Sequence, residues 1–365
     1  MIRKLLGDFL IISFITFLIF LIIEVFLFFL NFPLKDDRSF NNSFEVTFAG
    51  GARHKPNIKS TTRLGYPALS TDSTGLVHNG ILRNKDELQN AIFVLGGSTV
   101  EGWGASSNMK TIPAQLELCL NKNLTKKVVV ANGGFQGDYS YQEFQRAVNI
   151  ISRYNPKMII ILDGRNDGHF GMMKNWVAFD SNPGIHGPLD YINKAGHRGR
   201  KDQIIHEMRS ISRLINWVIN IKDNNSRKTN LDKFSFDENI TNTKISKIAN
   251  SYLITHKLIH EISKAYNVPI FSYLQPTLEA KKELNSYEKE LLEKFRKRMK
   301  WPLSYYDQIS NFYDEVSSRL PNEIIDYSNI FNDLDINLYV DSNHYNDEGN
   351  LIISEKICKN ILNFF

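Results

Sequence analysis

Four short stretches of the chain carry residue types that together could perform acyl transfer. Residues 92–103 read IFVLGGSTVEGW, an apolar run that stops at Gly96-Gly97 and delivers the hydroxyl of Ser98. Residues 132–138, NGGFQGD, put Gly137 in a glycine-rich loop, and residues 163–167, DGRND, put Asn166 after another apolar run. Near the far end, residues 341–346 read DSNHYN, with Asp341 three positions before His344. A serine needs a base to become a nucleophile, and an imidazole oriented by a carboxylate at Nδ1 leaves Nε2 free for that task. The tetrahedral intermediate then needs hydrogen-bond donors for its oxyanion. The backbone N–H of Ser98, the N–H at Gly137 and the side-chain amide of Asn166 are the candidates, with glycine at 137 because a side chain there could block the substrate's oxygen.

Two other chemistries fit poorly. A phosphate-cradling loop requires Lys-Ser or Lys-Thr after Gly102, where Trp103-Gly104 stand. The G-x-S-x-G nucleophile elbow requires glycine two places after the serine, where Val100 stands. A serine after a strand also caps helices, so Ser98 gains weight only from what is brought near it.

That depends on the elements between. Apolar runs at 92–95, 128–131, 158–162 and 268–274 read as buried strands, and helical periodicity fills the gaps. Thr111 and Pro113 open one helix, a second through Phe144, Val148 and Ile151 stops before Asn155-Pro156, and a last one starts at Asn346 or Asp347. Alternating strand and helix predicts βαβ units and a parallel sheet. Parallel strands share one carboxyl edge, so Ser98, Gly137 and Asn166 should converge there.

GGSTVEG, NGGFQGD, GRND and DSNH, in this order, resemble the SGNH (GDSL-like) hydrolase family from about residue 92 onward. The resemblance implies a three-layer α/β/α fold with a flavodoxin-like central parallel sheet. It implies Ser98 as nucleophile, His344 as base oriented by Asp341, and Ser98, Gly137 and Asn166 as the oxyanion hole. The family's Gly-Asp-Ser is here Gly96-Gly97-Ser98, which removes a carboxylate outside the triad. The implied activity is a cofactor-free, metal-free serine esterase acting on short acyl esters, acetyl especially, of carbohydrate or lipid. Two alternatives keep the fold: an O-acyltransferase working on an envelope polysaccharide, and a non-catalytic glycan-binding or assembly protein.

The remaining chain sets the context. Of 365 residues, 42% are hydrophobic and 23% charged, with net charge +5; no basic stripe interleaved with aromatics points to nucleic acid. Residues 9–30 are almost wholly apolar and span about 30 Å as a helix, enough for a bilayer core. No small-residue cleavage site precedes Pro33, so residues 1–33 read as an uncleaved signal anchor. Arg3 and Lys4 place the amino terminus in the cytoplasm and the rest on the periplasmic side. Glu24 reads as a carboxyl near the outer interface, protonated or reaching for headgroups, with a partner helix as the alternative. Residues 34–90 read as a lead-in of short strands and turns packed on the domain at 91–365, which carries an insertion at about 170–255. Within it, 210–221 looks helical and 223–243 polar enough to be mobile. His169, His186, His197 and His206 are scattered without metal-ligand spacing, and the basic end of the charged helix at 281–300 reads as a solvated face, with anionic headgroups as the alternative. Cys119 and Cys358 read as two buried thiols, with a disulfide between them as the alternative outside the cytosol.

Overall fold

The computed structural model describes residues 2–30, 44–46, 52–58, 61–63, 66–174, 176–178, 208, 212–215, 217–218, 236–237, 239–299 and 301–365. Contacts divide the chain into two compact units, residues 1–38 with 191–233, and residues 39–190 with 234–365.

In the first unit, α1 (Ile2–Phe29) contains Gly7–Phe29, 23 residues of mean hydropathy 2.9 with none of that window buried. At about 1.5 Å per residue this is long enough to cross a hydrocarbon core. Glu24 does not wait for headgroups. Its carboxylate accepts from Ser212 Oγ at 2.5 Å, from the Arg213 backbone N–H at 3.0 Å and from that of Leu214 at 2.9 Å. Residues 213–215 and 217–218 are helical, so the carboxylate meets donors that a helix start leaves unpaired. The alternative reading, a contact with another helix, is the one realised, and that helix belongs to the same chain.

The second unit is built on a five-stranded sheet. Two antiparallel hairpins precede it, β1 (Phe44–Val46) with β2 (Ala52–His54) and β3 (Thr61–Arg63) with β4 (Tyr66–Leu69). The sheet consists of β5 (Ile92–Gly96), β6 (Val130–Asn132), β7 (Met158–Asp163), β8 (Ile270–Leu274) and β9 (Ile324–Asp326), all parallel, in the order β6-β5-β7-β8-β9. Counted within the sheet this is 2-1-3-4-5, the flavodoxin-like order, whose direction of growth reverses between the first and third strands. The crevice at that reversal lies past the carboxyl ends of β5 and β7, where Ser98 and Asn166 follow.

Alternate strand residues bury on opposite faces, which explains the unbroken apolar runs. Ile92, Val94, Ile160 and Leu162 pack with α3 (Ile112–Asn123) and α9 (Asp347–Ile361). Phe93, Leu95, Ile159 and Ile161 pack with α4 (Ser140–Tyr154) and α6 (Asn242–Tyr266), and α8 (Tyr305–Ser317) extends that layer over Leu274 and Ile324. The architecture is the expected α/β/α sandwich. Thr111 Oγ1 caps α3 by accepting from Ala114 N, and Asn346 Oδ1 caps α9 by accepting from Gly349 N at 2.9 Å. The charged helix is α7 (Ser286–Met299), and three residues of its basic end pair within the helix, Lys294 with Glu290 and Arg296 and Lys297 with Glu293. Lys281 lies before it, buried against Glu288 at 2.8 Å. Residues 223–235 lie outside the described residues.

The cysteines are not free thiols. Because α3 and α9 pack side by side on one face of the sheet, Cys119 and Cys358 come to a Cα separation of 6.3 Å and are joined as a disulfide. The bridge closes a loop with a sequence separation of 239, and limiting so long a loop in the unfolded chain stabilises the fold by about 2–5 kcal/mol. Urea unfolding with and without reductant should show a loss of that size, and coincident curves would refute it.

Candidate active site

Ser98 begins α2 (Ser98–Glu101), a single turn directly after β5. The turn is tied to its neighbours from below: the N–H of Gly133 donates to the Val94 carbonyl at 2.8 Å and that of Phe135 to the Gly96 carbonyl at 2.9 Å. The loop after β6 is thus laced to the serine turn, and Asn132 Nδ2 adds a bond to the Glu101 carbonyl at 3.2 Å.

Two residues 246 positions apart then meet: His344 Nε2 lies 2.7 Å from Ser98 Oγ. On the other side of the ring, Nδ1 is 2.7 Å from Asp341 Oδ2. A carboxylate oxygen can only accept, so Nδ1 carries the hydrogen and Nε2 is the acceptor for the serine hydroxyl. The second carboxylate oxygen, Oδ1, accepts from the backbone N–H groups of Asn343 at 3.0 Å and His344 at 2.9 Å. The loop that holds the pair is closed by Val340 N–H donating to the His344 carbonyl and Asn346 N–H to the Leu338 carbonyl, both at 2.9 Å. Trp103 packs on the imidazole with ring centroids 5.2 Å apart.

Asn166 follows β7 on α5 (Arg165–Gly171), and its Nδ2 donates to the Asp138 carbonyl at 2.7 Å. One amide hydrogen is thereby used to fix the group and the other remains. The same amide explains Gly97: a Cβ built there would lie 2.5 Å from Asn166 Nδ2. Glycine at 97 therefore leaves room for the amide beside the serine turn. Gly137, immediately before Asp138, has φ +75°, a left-handed conformation that suits glycine.

Several residues around the site carried no signal in the sequence. Arg165 reaches Glu279 with Nε at 3.1 Å and Nη2 at 2.8 Å. Glu279 accepts from Thr277 Oγ1 at 2.7 Å, and that hydroxyl also lies 3.0 Å from the Ser342 carbonyl. This brace links the Asn166 helix to the loop of Asp341 and His344 through the segment after β8. Arg165 stands inside the GRND stretch, but nothing along the chain marks Glu279 as its partner. His54, from the lead-in, bonds buried Glu101 at 3.0 Å.

A second Ser/His/Asp string lies deeper: His256 Nε2 is 3.0 Å from Asp163 Oδ2 and its Nδ1 is 3.1 Å from Ser272 Oγ. Ser272 is 0% exposed whereas Ser98 retains 9%, so only the latter is reachable by substrate. Among the described residues no group of three or more His, Cys, Asp or Glu is placed to hold a metal; His186, His197 and His206 lie outside them.

Four carboxyl groups crowd beneath the β6–α4 loop. Burial pushes Glu143 well above its usual range, and Asp163, Asp167 and Asp138 add repulsion. Burial and Asp163 raise Asp167 to about 7, and burial, opposed by Arg146, leaves Asp138 at about 6. Among the described residues neither Glu143 oxygen meets a hydrogen-bond partner, so nothing there offsets the burial of its charge. Asp167 accepts from Ser140 Oγ at 2.5 Å and from its N–H at 3.2 Å, which anchors the start of α4. A carboxyl whose folded value is raised stays protonated where the unfolded chain's has ionised. Its stabilising contribution is therefore full below about pH 4 and is lost as pH rises through its folded value. Wild-type urea stability should accordingly fall from pH 5.5 to 8, and Glu143→Gln, which keeps the shape without a group to ionise, should flatten the fall. Parallel pH profiles would show that Glu143 does not hold the proton.

No family model matches the chain, and no curated protein does. Solved structures do. A lipase/acylhydrolase from Enterococcus faecalis is 14% identical over 75% of this chain and 96% of its own, with TM-score 0.39. A psychrotrophic esterase from Pseudoalteromonas sp. is 14% identical over 76% of this chain and 98% of its own, with TM-score 0.36. An acetyl xylan esterase is 13% identical over 74% and 99%, with TM-score 0.35.

Proposed function

We propose that the chain is a membrane-tethered serine esterase of the SGNH type. The observation that carries the reading is the unbroken relay from Ser98 Oγ through His344 to Asp341, with 2.7 Å at each step. In this reading His344 takes the Ser98 proton as Oγ attacks an ester carbonyl. The oxyanion rests on the N–H groups of Ser98 and Gly137 and the free amide hydrogen of Asn166. The protonated imidazole then gives its proton to the departing alcohol, and water, deprotonated in turn by His344, releases the acid from the acyl-serine.

The resemblance in the four motifs favours short acyl groups, acetyl especially, on carbohydrate or lipid. Placement outside the cytosol is supported by α1, by the excess of Arg3 and Lys4 on its amino-terminal side and by the Cys119–Cys358 bridge, which persists in oxidising compartments.

The test is acetate release by the full chain in detergent micelles, from acetylated model esters and acetylated glycans side by side, for wild type and His344→Ala. Release by wild type alone is expected. No release by wild type from any ester would overturn the esterase, and cleavage of the donor ester only when a glycan acceptor is added, with the acetyl group appearing on the glycan and not as acetate, would make the protein a transferase.

A further inference from the structure

Of the seven residues of α5, Arg165, Asp167, Gly168, Phe170 and Gly171 are buried; only Asn166 and His169 are partly exposed. Positions three apart on a helix lie on one side, so His169 stands one turn beyond Asn166 and faces the same way. Its ring is held firmly. Nδ1 lies 2.6 Å from the Tyr305 hydroxyl, and Phe170, Phe236 and Trp301 surround the imidazole at centroid distances of 4.9, 5.3 and 5.4 Å.

The hydrogen positions follow from chemistry. Arg165 Nη2 donates to the Tyr305 oxygen at 3.0 Å, and a guanidinium can only donate. The phenolic hydrogen therefore goes to His169 Nδ1, its one hydrogen-bond partner here besides Arg165, and the hydrogen of the neutral imidazole sits on Nε2. Burial and the neighbouring Arg165 charge hold the imidazole well below its usual range, which keeps it neutral. Among the described residues Nε2 has no partner, and it is not sealed from solvent. The result is a fixed N–H donor in an aromatic frame, beyond the amide that faces the reacting carbonyl.

We propose that His169 donates its Nε2 hydrogen to an oxygen of the alcohol half of the ester, and that this selects carbohydrate alcohols over aliphatic ones. A sugar ring offers hydroxyl and ring oxygens to the donor and C–H faces to the half-buried Phe236 ring beside it. An alkyl chain offers no acceptor and would leave the N–H unpaired, and a site built around a polar partner discriminates strongly against ligands lacking it. The inference rests on the esterase reading above and refines it.

The test compares kcat/KM of the full chain on β-D-glucose pentaacetate with kcat/KM on p-nitrophenyl acetate, for wild type, His169→Leu and His169→Gln. The sugar-to-aryl ratio should fall by about tenfold or more in His169→Leu, chiefly through KM for the sugar ester. It should return partway in His169→Gln, whose amide restores a donor. A merely structural role would lower both substrates together and leave the ratio unmoved. A ratio within twofold of wild type in His169→Leu, no advantage of glutamine over leucine, or wild type hydrolysing the aryl ester but not the sugar ester would each overturn the assignment alone. Failure of wild type on both esters would overturn the esterase reading and this assignment with it.

Discussion

Replacing Ser98 with alanine is expected to lower kcat on acetyl esters by at least about 10⁴-fold and to abolish labelling by a fluorophosphonate. The hydroxyl lies 2.7 Å from His344 Nε2, placed to give up its proton and become a nucleophile. In the proposed mechanism its deletion leaves the donors for the oxyanion but removes the bond-forming atom. The backbone of the turn should survive, since the bonds that lace it to the β6 loop are made by main-chain atoms of residues 94, 96, 133 and 135. Equal labelling of Ser98→Ala and wild type would mean that the probe reacts elsewhere, and a wild type that never labels would favour a binding protein.

Asp341→Asn should be nearly as damaging, with kcat down about 10³- to 10⁴-fold at neutral pH. Both carboxylate oxygens act as acceptors, Oδ2 for the imidazole and Oδ1 for two backbone N–H groups. An amide has one acceptor and one donor end. If its oxygen serves the backbone, its NH₂ faces Nδ1 and drives the hydrogen to Nε2, the position that must be bare to receive the serine proton. If the amide flips, its NH₂ meets the two backbone donors instead. Either arrangement spoils the relay without changing the side chain's size, so melting curves should stay close while turnover collapses. A loss below tenfold would show that the imidazole keeps its tautomer without help from the carboxylate.

Much of the scaffold was legible because a parallel sheet covered on both faces writes itself as continuous apolar runs, as at 92–95 and 158–162. The strand Ile324–Asp326 was not, since three residues beside polar neighbours make no run. The four motif loops were legible because glycine and polar residues follow the strands abruptly, and their convergence follows from parallel topology. What joins them was not. The Arg165–Glu279 pair spans 114 positions, and only the packing of α5 against the segment after β8 brings it together. The disulfide likewise depends on α3 and α9 being neighbours, a fact of helix placement that neither cysteine's surroundings announce. Glu24 was singled out by its oddity in an apolar helix, but its partner at Ser212 lies 188 positions away.

The Cys119–Cys358 bond has a consequence for how the molecule would behave if cut. Asn166, Asp341 and His344 all lie inside the ring of chain that it closes, and Ser98 lies outside. A protease nick anywhere between the two cysteines would leave its fragments covalently attached, running as one band until a reducing agent separates them.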